Sequence, residues 1–285
     1  MLLAPVDYYR PETLAEALDA LDSTDDARPL AGGQSLISIL KLRATTVDLL
    51  VDISRLEDLK SIEVADDGSV EIGAGVTYDE MATSTEFQRV HPRLSQVAAH
   101  TVDAQVRNRG TFGGNLCHND PINNFPPVAV AIDAVMHISS KKGNRDIPAA
   151  DFFTGYFTNA LSAGELLTSV TLPALNGRRL GYQEIEIGEA AARAVALVAT
   201  SNGKSESANV ALGCLPVPVR RPNVEQALAG APANAEAVAE ATSGAGDDIE
   251  PVSDADASAD YRQAMASVVA KRAVMEAING GQHAE

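Results

Sequence analysis

The sequence predicts an α+β fold built in three small units. Three observations carry that reading. Helix-period and strand-period segments alternate over the first fifty residues, the rhythm changes from about Leu59, and a further set of strands and helices follows Asn176-Gly177. At 285 residues the chain has the length of roughly two domains of about 150 residues. It can bury a core without disulfide or metal staples.

Each element has a local cause. Pro11-Glu12-Thr13 opens a helix whose inner face is Leu14, Ala17, Leu18 and Leu21. Arg28-Pro29-Leu30 is a short extended run that ends in Gly32-Gly33. A second apolar helix follows, with Leu36, Ile37, Leu40 and Leu42 as its buried side, and Leu49 to Ile53 reads as a buried strand. Asp66-Asp67-Gly68 is a hairpin turn, and Ser69 to Val76 alternates like a strand. Thr77 to Phe87 is helical, because Thr77 with Glu80 three residues on has the spacing of a capping box. Pro92 to Val102 forms the next helix. Asn108 to Pro127, rich in Gly, Asn, Asp and Pro, reads as loop. Val128 to Ile138 is strand, or short helix into strand, and Glu165 to Pro173 is a strand. In the third unit Leu180 to Ile187 and Asn209 to Leu215 are strands, while Ala190 to Thr200 is alanine-rich and either helical or buried. A helix lies within Ala231 to Asp260, then an acidic, solvated stretch around Asp247, and a last helix runs from Asp260 to Ile278.

Composition removes several function classes. With 39 acids against 22 bases the net charge is −17, a surface that repels a phosphate backbone, so nucleic-acid binding is a poor reading. Only 6 of the bases are lysine. The acid excess fits either a salt-rich cytoplasm, where screening blunts self-repulsion, or an ordinary acidic protein. No apolar run approaches the ~18 residues that span a bilayer. Met1 to Arg10 has neither the basic start nor the apolar stretch of a signal peptide, which leaves the cytoplasm as the expected compartment. Two cysteines, Cys117 and Cys214, cannot make a disulfide framework or a four-thiolate cluster. His91, His100 and His137 share no metal-ligand spacing. No serine sits in a nucleophile-elbow pattern.

Two glycine pairs remain as candidates for chemistry. One is Ala31-Gly32-Gly33-Gln34-Ser35-Leu36; the other is Gly110-Thr111-Phe112-Gly113-Gly114-Asn115-Leu116. Glycine lets backbone come close to an anion, and the first N–H groups of a helix lack intrahelical acceptors. Read alone, each pair is a turn. Brought together, the two would hold a pyrophosphate from both sides. Neither fits the six-residue dinucleotide fingerprint or the P-loop lysine pattern. His118 with Asp120 could suggest acid–base work or a metal, although a place in the same loop is the simpler reading.

These stretches resemble a known family. Tyr8-Tyr9-Arg10-Pro11-Glu12-Thr13-Leu14, Ala31 to Leu36, Val51-Asp52-Ile53, the run from Gln105 to His118, Asp120-Pro121, Pro126-Pro127, Gly164-Glu165-Leu166-Leu167 and Tyr261-Arg262 are similar to the FAD-binding medium subunits of molybdenum hydroxylases. That family includes the flavoproteins of carbon monoxide dehydrogenase and xanthine dehydrogenase. The resemblance implies a PCMH-type, vanillyl-alcohol-oxidase-like FAD domain in two parts, residues 1–56 and 57–175. A C-terminal flavoprotein domain, 176–285, would follow with a three- or four-stranded sheet and helices.

It also implies the site. FAD would lie extended between the first two parts, with Ala31, Gly32, Gly33, Gln34, Ser35 and Leu36 in one cradle for its diphosphate. Thr111, Gly113, Gly114 and Asn115 would form the other. Asp120 and Asn124 would contact the sugar and ribityl region, and Leu167 would lie near the flavin ring or the adenine. Relatives often carry aspartate where this chain has Asn124. The stretch from Tyr182 to Ala190 is shorter and more acidic than the family's basic stretch, and Ala190 or Ala191 stands where some relatives place an aromatic residue over the flavin.

The function so implied is electron transfer. A molybdopterin-containing large subunit would oxidise substrate, a small subunit would relay electrons through 2Fe–2S clusters, and this chain would pass them to quinone, NAD or oxygen. The assembly implied is a dimer of heterotrimers. No catalytic side chain and no metal ligand are expected here, since the cofactor carries the redox step. The alternatives are a scaffold subunit without a redox role and a stand-alone flavin oxidase. Gly113→Val is expected to abolish flavin retention while sparing the fold.

Overall fold

The computed structural model describes residues 2–101 and 103–280. The chain divides into two compact units. One takes the residues up to His118 with Val135–Phe152 and Asn159–Leu172; the other takes Asn119–Ala134, Phe153–Thr158 and the residues from Pro173 on.

The first unit contains two sheets. A three-stranded parallel sheet has Leu49–Asp52 between Asp7–Tyr9 and Ala27–Leu30. The helix Leu14–Ser23 starts where Thr13 accepts a hydrogen bond from the Glu16 amide at 3.2 Å. Its Ala17, Leu18 and Leu21 bury against Val51 and Ile53, on the face the periodicity predicts. The helix Leu36–Lys41 buries Leu40 with Val47 and Leu50. Leu42, expected on that same face, is 71% exposed, because the helix stops at Lys41 and the chain turns through Arg43 at a φ of 59°.

The second sheet is antiparallel and five-stranded, in the order Ile62–Val64, Val70–Gly73, Glu165–Leu172, Val135–Ser140 and Gly143–Pro148. Its first hairpin turns where expected, with Gly68 at a φ of 87° and Asp67 accepting from the Ser69 amide at 2.9 Å. The capping box at Thr77 forms with both of its hydrogen bonds. The helix it starts is shorter than expected. Ser84 is extended and caps a new helix, so Tyr78–Thr83 and Thr85–Val90 replace a single span. Pro92–His100 follows with proline in its first turn. The expected end of that helix at Val102 lies outside the described residues.

His91 joins these helices. It is 1% exposed, its ring lies 5.6 Å from that of Phe87, and neither ring nitrogen has a hydrogen-bond partner. Burial pushes its pKa down from 6.5 to about 4. The unfolded chain then takes up a proton near pH 6.5 that the folded chain refuses until about pH 4. Stability from this group is complete above the higher value and falls by up to about 3 kcal/mol as pH drops to the lower one. His91→Leu should flatten that part of the pH dependence in urea denaturation. An unchanged slope would remove His91 as its source.

The second unit is built on a four-stranded antiparallel sheet in chain order: Arg179–Ile187, Glu189–Ser201, Lys204–Gly213 and Val219–Arg220. The alanine-rich stretch is therefore a buried strand. Alanine is a weak strand former, yet small side chains let the 20-residue helix Ala259–Ile278 come close. A Cβ on Gly181 would lie 1.9 Å from the Ala273 carbonyl oxygen of that helix. Ala194, Ala196, Val210, Ala266, Ala270 and Ala273 form the core between helix and sheet. The helices Pro222–Leu228 and Ala235–Ala241 complete this side, and Asp247, Asp248 and Glu250 are exposed as expected.

Candidate functional site

The first glycine stretch links the strand Ala27–Leu30 to the helix Leu36–Lys41. Gly33 has a φ of 73°, which glycine adopts at little cost. Gly32 is glycine for a different reason. A Cβ there would sit 1.9 Å from the Arg109 carbonyl oxygen and 3.0 Å from the Gly110 Cα. The two glycine stretches thus touch, and no larger residue fits where they do. Ala31 packs beside them against the cluster of Ala17 and Val51.

The amides of Gly33, Gln34, Ser35 and Leu36 meet no acceptor among the described residues. Gln34 turns its side chain back, donating to the Gly32 carbonyl at 3.2 Å, and the Ser35 side chain makes no capping bond. Four consecutive N–H groups are therefore available for an anion.

The second stretch departs from its expected form. Asn108 to Pro127 contains two helices, Phe112–His118 and Phe125–Ala131. Two glycines in seven residues argue against a helix, yet tertiary bonds override propensity here. The Phe112 amide donates to the Val76 carbonyl at 2.8 Å and the Gly113 amide to the Ala74 carbonyl at 2.9 Å. Thr111 caps the helix, its hydroxyl accepting from the Gly114 amide at 3.1 Å and its carbonyl from the Asn115 amide at 3.0 Å. The amides of residues 112 to 114 are thus committed within the protein. That of Thr111, a buried residue, meets no acceptor among the described residues. Gly113 is pressed against the chain: a Cβ would lie 2.4 Å from the Ala74 Cβ and 2.8 Å from its Cα. The expectation that valine at this position spares the fold is therefore overturned. Gly114 is less confined, since its Cβ would meet only the Thr111 hydroxyl, at 2.7 Å.

Tyr78 was not a candidate, and it organises this stretch. Its ring lies against Gly110, its amide donates to the Gly110 carbonyl at 3.1 Å, and its hydroxyl shares a hydrogen bond with the Asn115 side chain. Burial pushes the phenol's pKa up, so it stays a neutral hydrogen-bonding group. The only local signal was an aromatic residue directly after the Thr77 cap.

Leu167, Asp120 and Asn124 are the remaining expected residues. Leu167 is a core residue of the five-stranded sheet, 2% exposed, paired with Ile138 beside a register shift. Asp120 and Asn124 belong to the second unit. Asp120 accepts from the Ile122 amide at 3.1 Å, and Asn124 precedes the helix Phe125–Ala131 without capping it.

Comparison with known proteins decides the family. The family model for the "FAD binding domain in molybdopterin dehydrogenase" matches residues 4–175, and that for the "CO dehydrogenase flavoprotein C-terminal domain" matches residues 183–277. The chain belongs to the FAD-binding medium subunits of molybdenum hydroxylases. It is 36% identical over 273 residues to the glyceraldehyde dehydrogenase medium chain of Sulfolobus acidocaldarius, covering 94% of this chain and 97% of that one. It is 34% identical to the carbon monoxide dehydrogenase medium chain of Hydrogenophaga pseudoflava, covering 94% and 95%. A chain of quinoline 2-oxidoreductase from Pseudomonas putida 86 superposes with a TM-score of 0.94 at 30% identity, covering 99% and 100%.

This medium subunit is thus an FAD-binding flavoprotein of the oxidoreductase class. Its unpaired amides and the buried Thr111 N–H suit a diphosphate. Other chemistries find little support in the side chains. Burial pushes the Cys117 thiol up to about 12 and raises Cys214 as well, so neither is a ready nucleophile. His137 is held between Asp146 at 2.8 Å and Thr171 at 2.7 Å. Among the described residues no group of three or more His, Cys, Asp or Glu could hold a metal ion, and no helix is long and apolar enough to cross a membrane. Ala190 and Ala191 are buried, and their carbonyls accept from Arg262 at 3.2 and 3.0 Å.

Proposed function

We propose that this chain is the electron-transfer subunit of a molybdenum hydroxylase complex. The observation that carries the reading is the run of four unpaired amides, Gly33 to Leu36, in the stretch that packs Gly32 onto Arg109. Backbone donors of this kind bind phosphate oxygens without adding a titrating group. In this reading Ala31 to Leu36 hold the diphosphate from one side. Thr111, Gly113, Gly114 and Asn115 close the other, with Gly113 and Asn115 shaping the cradle while Thr111 supplies its amide. Asp120 and Asn124 contact the sugar and ribityl region, and Leu167 backs the ring or the adenine.

Bound FAD would supply the redox chemistry, accepting electrons from a 2Fe–2S small subunit and releasing them to quinone, NAD or oxygen. The chain's own residues bind and orient; none of them need move a proton. The partners are that small subunit and a molybdopterin-containing large subunit, assembled as a dimer of heterotrimers in the cytoplasm. The names of the relatives as medium chains of dehydrogenases support this placement.

The test is an absorbance spectrum of the purified chain, at high salt, with and without added FAD. Flavin bands that stay with the protein through gel filtration are the expected result. A folded chain that retains no FAD would overturn redox function for the isolated subunit and favour the scaffold.

A further inference from the structure

Arg193 interrupts the alanine-rich strand Glu189–Ser201 and is 4% exposed. A buried guanidinium needs acceptors for its donors, and all of those found lie in the second unit. Its Nε and Nη2 donate to Glu184 Oε2 at 3.1 and 2.7 Å. Its Nη1 donates to the carbonyl oxygens of Ile122 and Asn123, at 2.7 and 2.8 Å. The Tyr182 ring lies 5.7 Å from the guanidinium carbon, and the Tyr182 hydroxyl donates to the same Glu184 oxygen at 2.9 Å. Carboxylate and ring thus hold the arginine in place. Its remaining arm is committed to two consecutive carbonyls of one short segment.

That segment runs from Asp120 to Asn124. It is already folded on itself, Asp120 accepting from the amides of Ile122 at 3.1 Å and Asn123 at 2.8 Å. Its Pro121 carbonyl accepts from the Cys214 amide at 3.0 Å. The strand bearing Arg193 and the strand that ends beside Cys214 are hydrogen-bonded neighbours, with Arg193 opposite Gly213. The segment is therefore gripped from two adjacent strands, and the grip falls between its two candidate ligand residues.

We propose that Arg193 is a positioning residue: by holding the Ile122 and Asn123 carbonyls it fixes Asp120 and Asn124 for contact with the ribityl chain of the cofactor. This rests on the reading above, in which those two residues touch the sugar and ribityl region. Arg193 itself touches no cofactor. Lysine cannot replace it, because one ammonium lacks the planar fork that spans a carboxylate and two carbonyls.

The test measures FAD and ADP binding, with thermal melting, for the full chain and its Arg193→Met and Arg193→Lys variants. ADP carries the diphosphate and adenosine but no ribityl chain. Both variants should raise the Kd for FAD tenfold or more and that for ADP less than threefold. An FAD Kd within twofold of the parent overturns the proposal. So does an equal loss for FAD and ADP, which marks general loosening. Should the variants not fold, hydrogen exchange in the unmodified chain decides. FAD should slow exchange of the amides of Ile122, Asn123 and Asn124, and unchanged rates overturn the proposal. Failure of the unmodified chain to bind either ligand would instead strike the functional reading itself, and needs no variant to detect.

Discussion

Gly113→Val is expected to lose FAD binding and cooperative folding of the first unit together. The added side chain would start 2.4 Å from the Ala74 Cβ and 2.7 Å from the Ala74 carbonyl oxygen, which accepts the Gly113 amide bond. Ala74 meets it with backbone and a Cβ fixed to that backbone, which leaves no flexible atom to yield. The helix start must then move away from Ala74, which follows the inner strand Val70–Gly73, at a cost of about 3 kcal/mol. Gly114→Ala is the matched control. Its Cβ meets only the Thr111 hydroxyl, which must turn away and give up its cap on the Gly114 amide, so this variant should lose about 1 kcal/mol, well below the loss at Gly113. Urea denaturation of the two variants, each followed by FAD titration, checks the pair. Parent-like melting of Gly113→Val with FAD absent would show that the glycine serves the cofactor instead of the packing.

The second large effect is expected at Ser35. Its side chain caps nothing, whereas its amide belongs to the unpaired run. Ser35→Ala keeps that amide and should bind FAD within about threefold of the parent. Ser35→Pro removes it. The residue's φ of −90° lies about 10° beyond proline's usual range, a shift the exposed loop can absorb. Losing one hydrogen bond to a charged oxygen costs about 1.5–3 kcal/mol, or roughly ten- to a hundredfold in Kd. Quenching of flavin fluorescence during titration measures both variants. If the proline and alanine variants bind alike, the Ser35 amide holds no phosphate.

The two glycine stretches show how far pattern reading reaches. Gly33 was legible as a turn, since its positive φ is a local property. Gly32 and Gly113 were legible as unusual glycines, but their neighbours were not. The first faces Arg109 and the second faces Ala74, both far along the chain. The same limit explains the missed helix Phe112–His118. Its start is secured by the Val76 and Ala74 carbonyls, and no propensity scale contains those bonds.

The alanine-rich stretch carries the same lesson in the second unit. Helix and buried strand both suited its composition, and alanine's own preference favoured the helix. Pairing on both sides, with Arg179–Ile187 and with Lys204–Gly213, made it a strand. Arg193 inside it gave no hint of its role, because its carbonyl acceptors lie about seventy residues away.

Features whose energy comes from a few successive residues were therefore readable from the chain alone. The helix start at Pro11-Glu12-Thr13, the Thr77 cap, the Gly68 turn, the buried face of the first helix and the family motifs are of this kind. Everything that depends on a partner distant in sequence had to wait for the folded molecule. Where Leu42 points, why Gly113 must stay glycine and which residue grips the Asp120–Asn124 segment were all set there. A cap or turn is worth its energy wherever the chain lies, whereas a close approach or a buried ion pair has none until the far partner arrives.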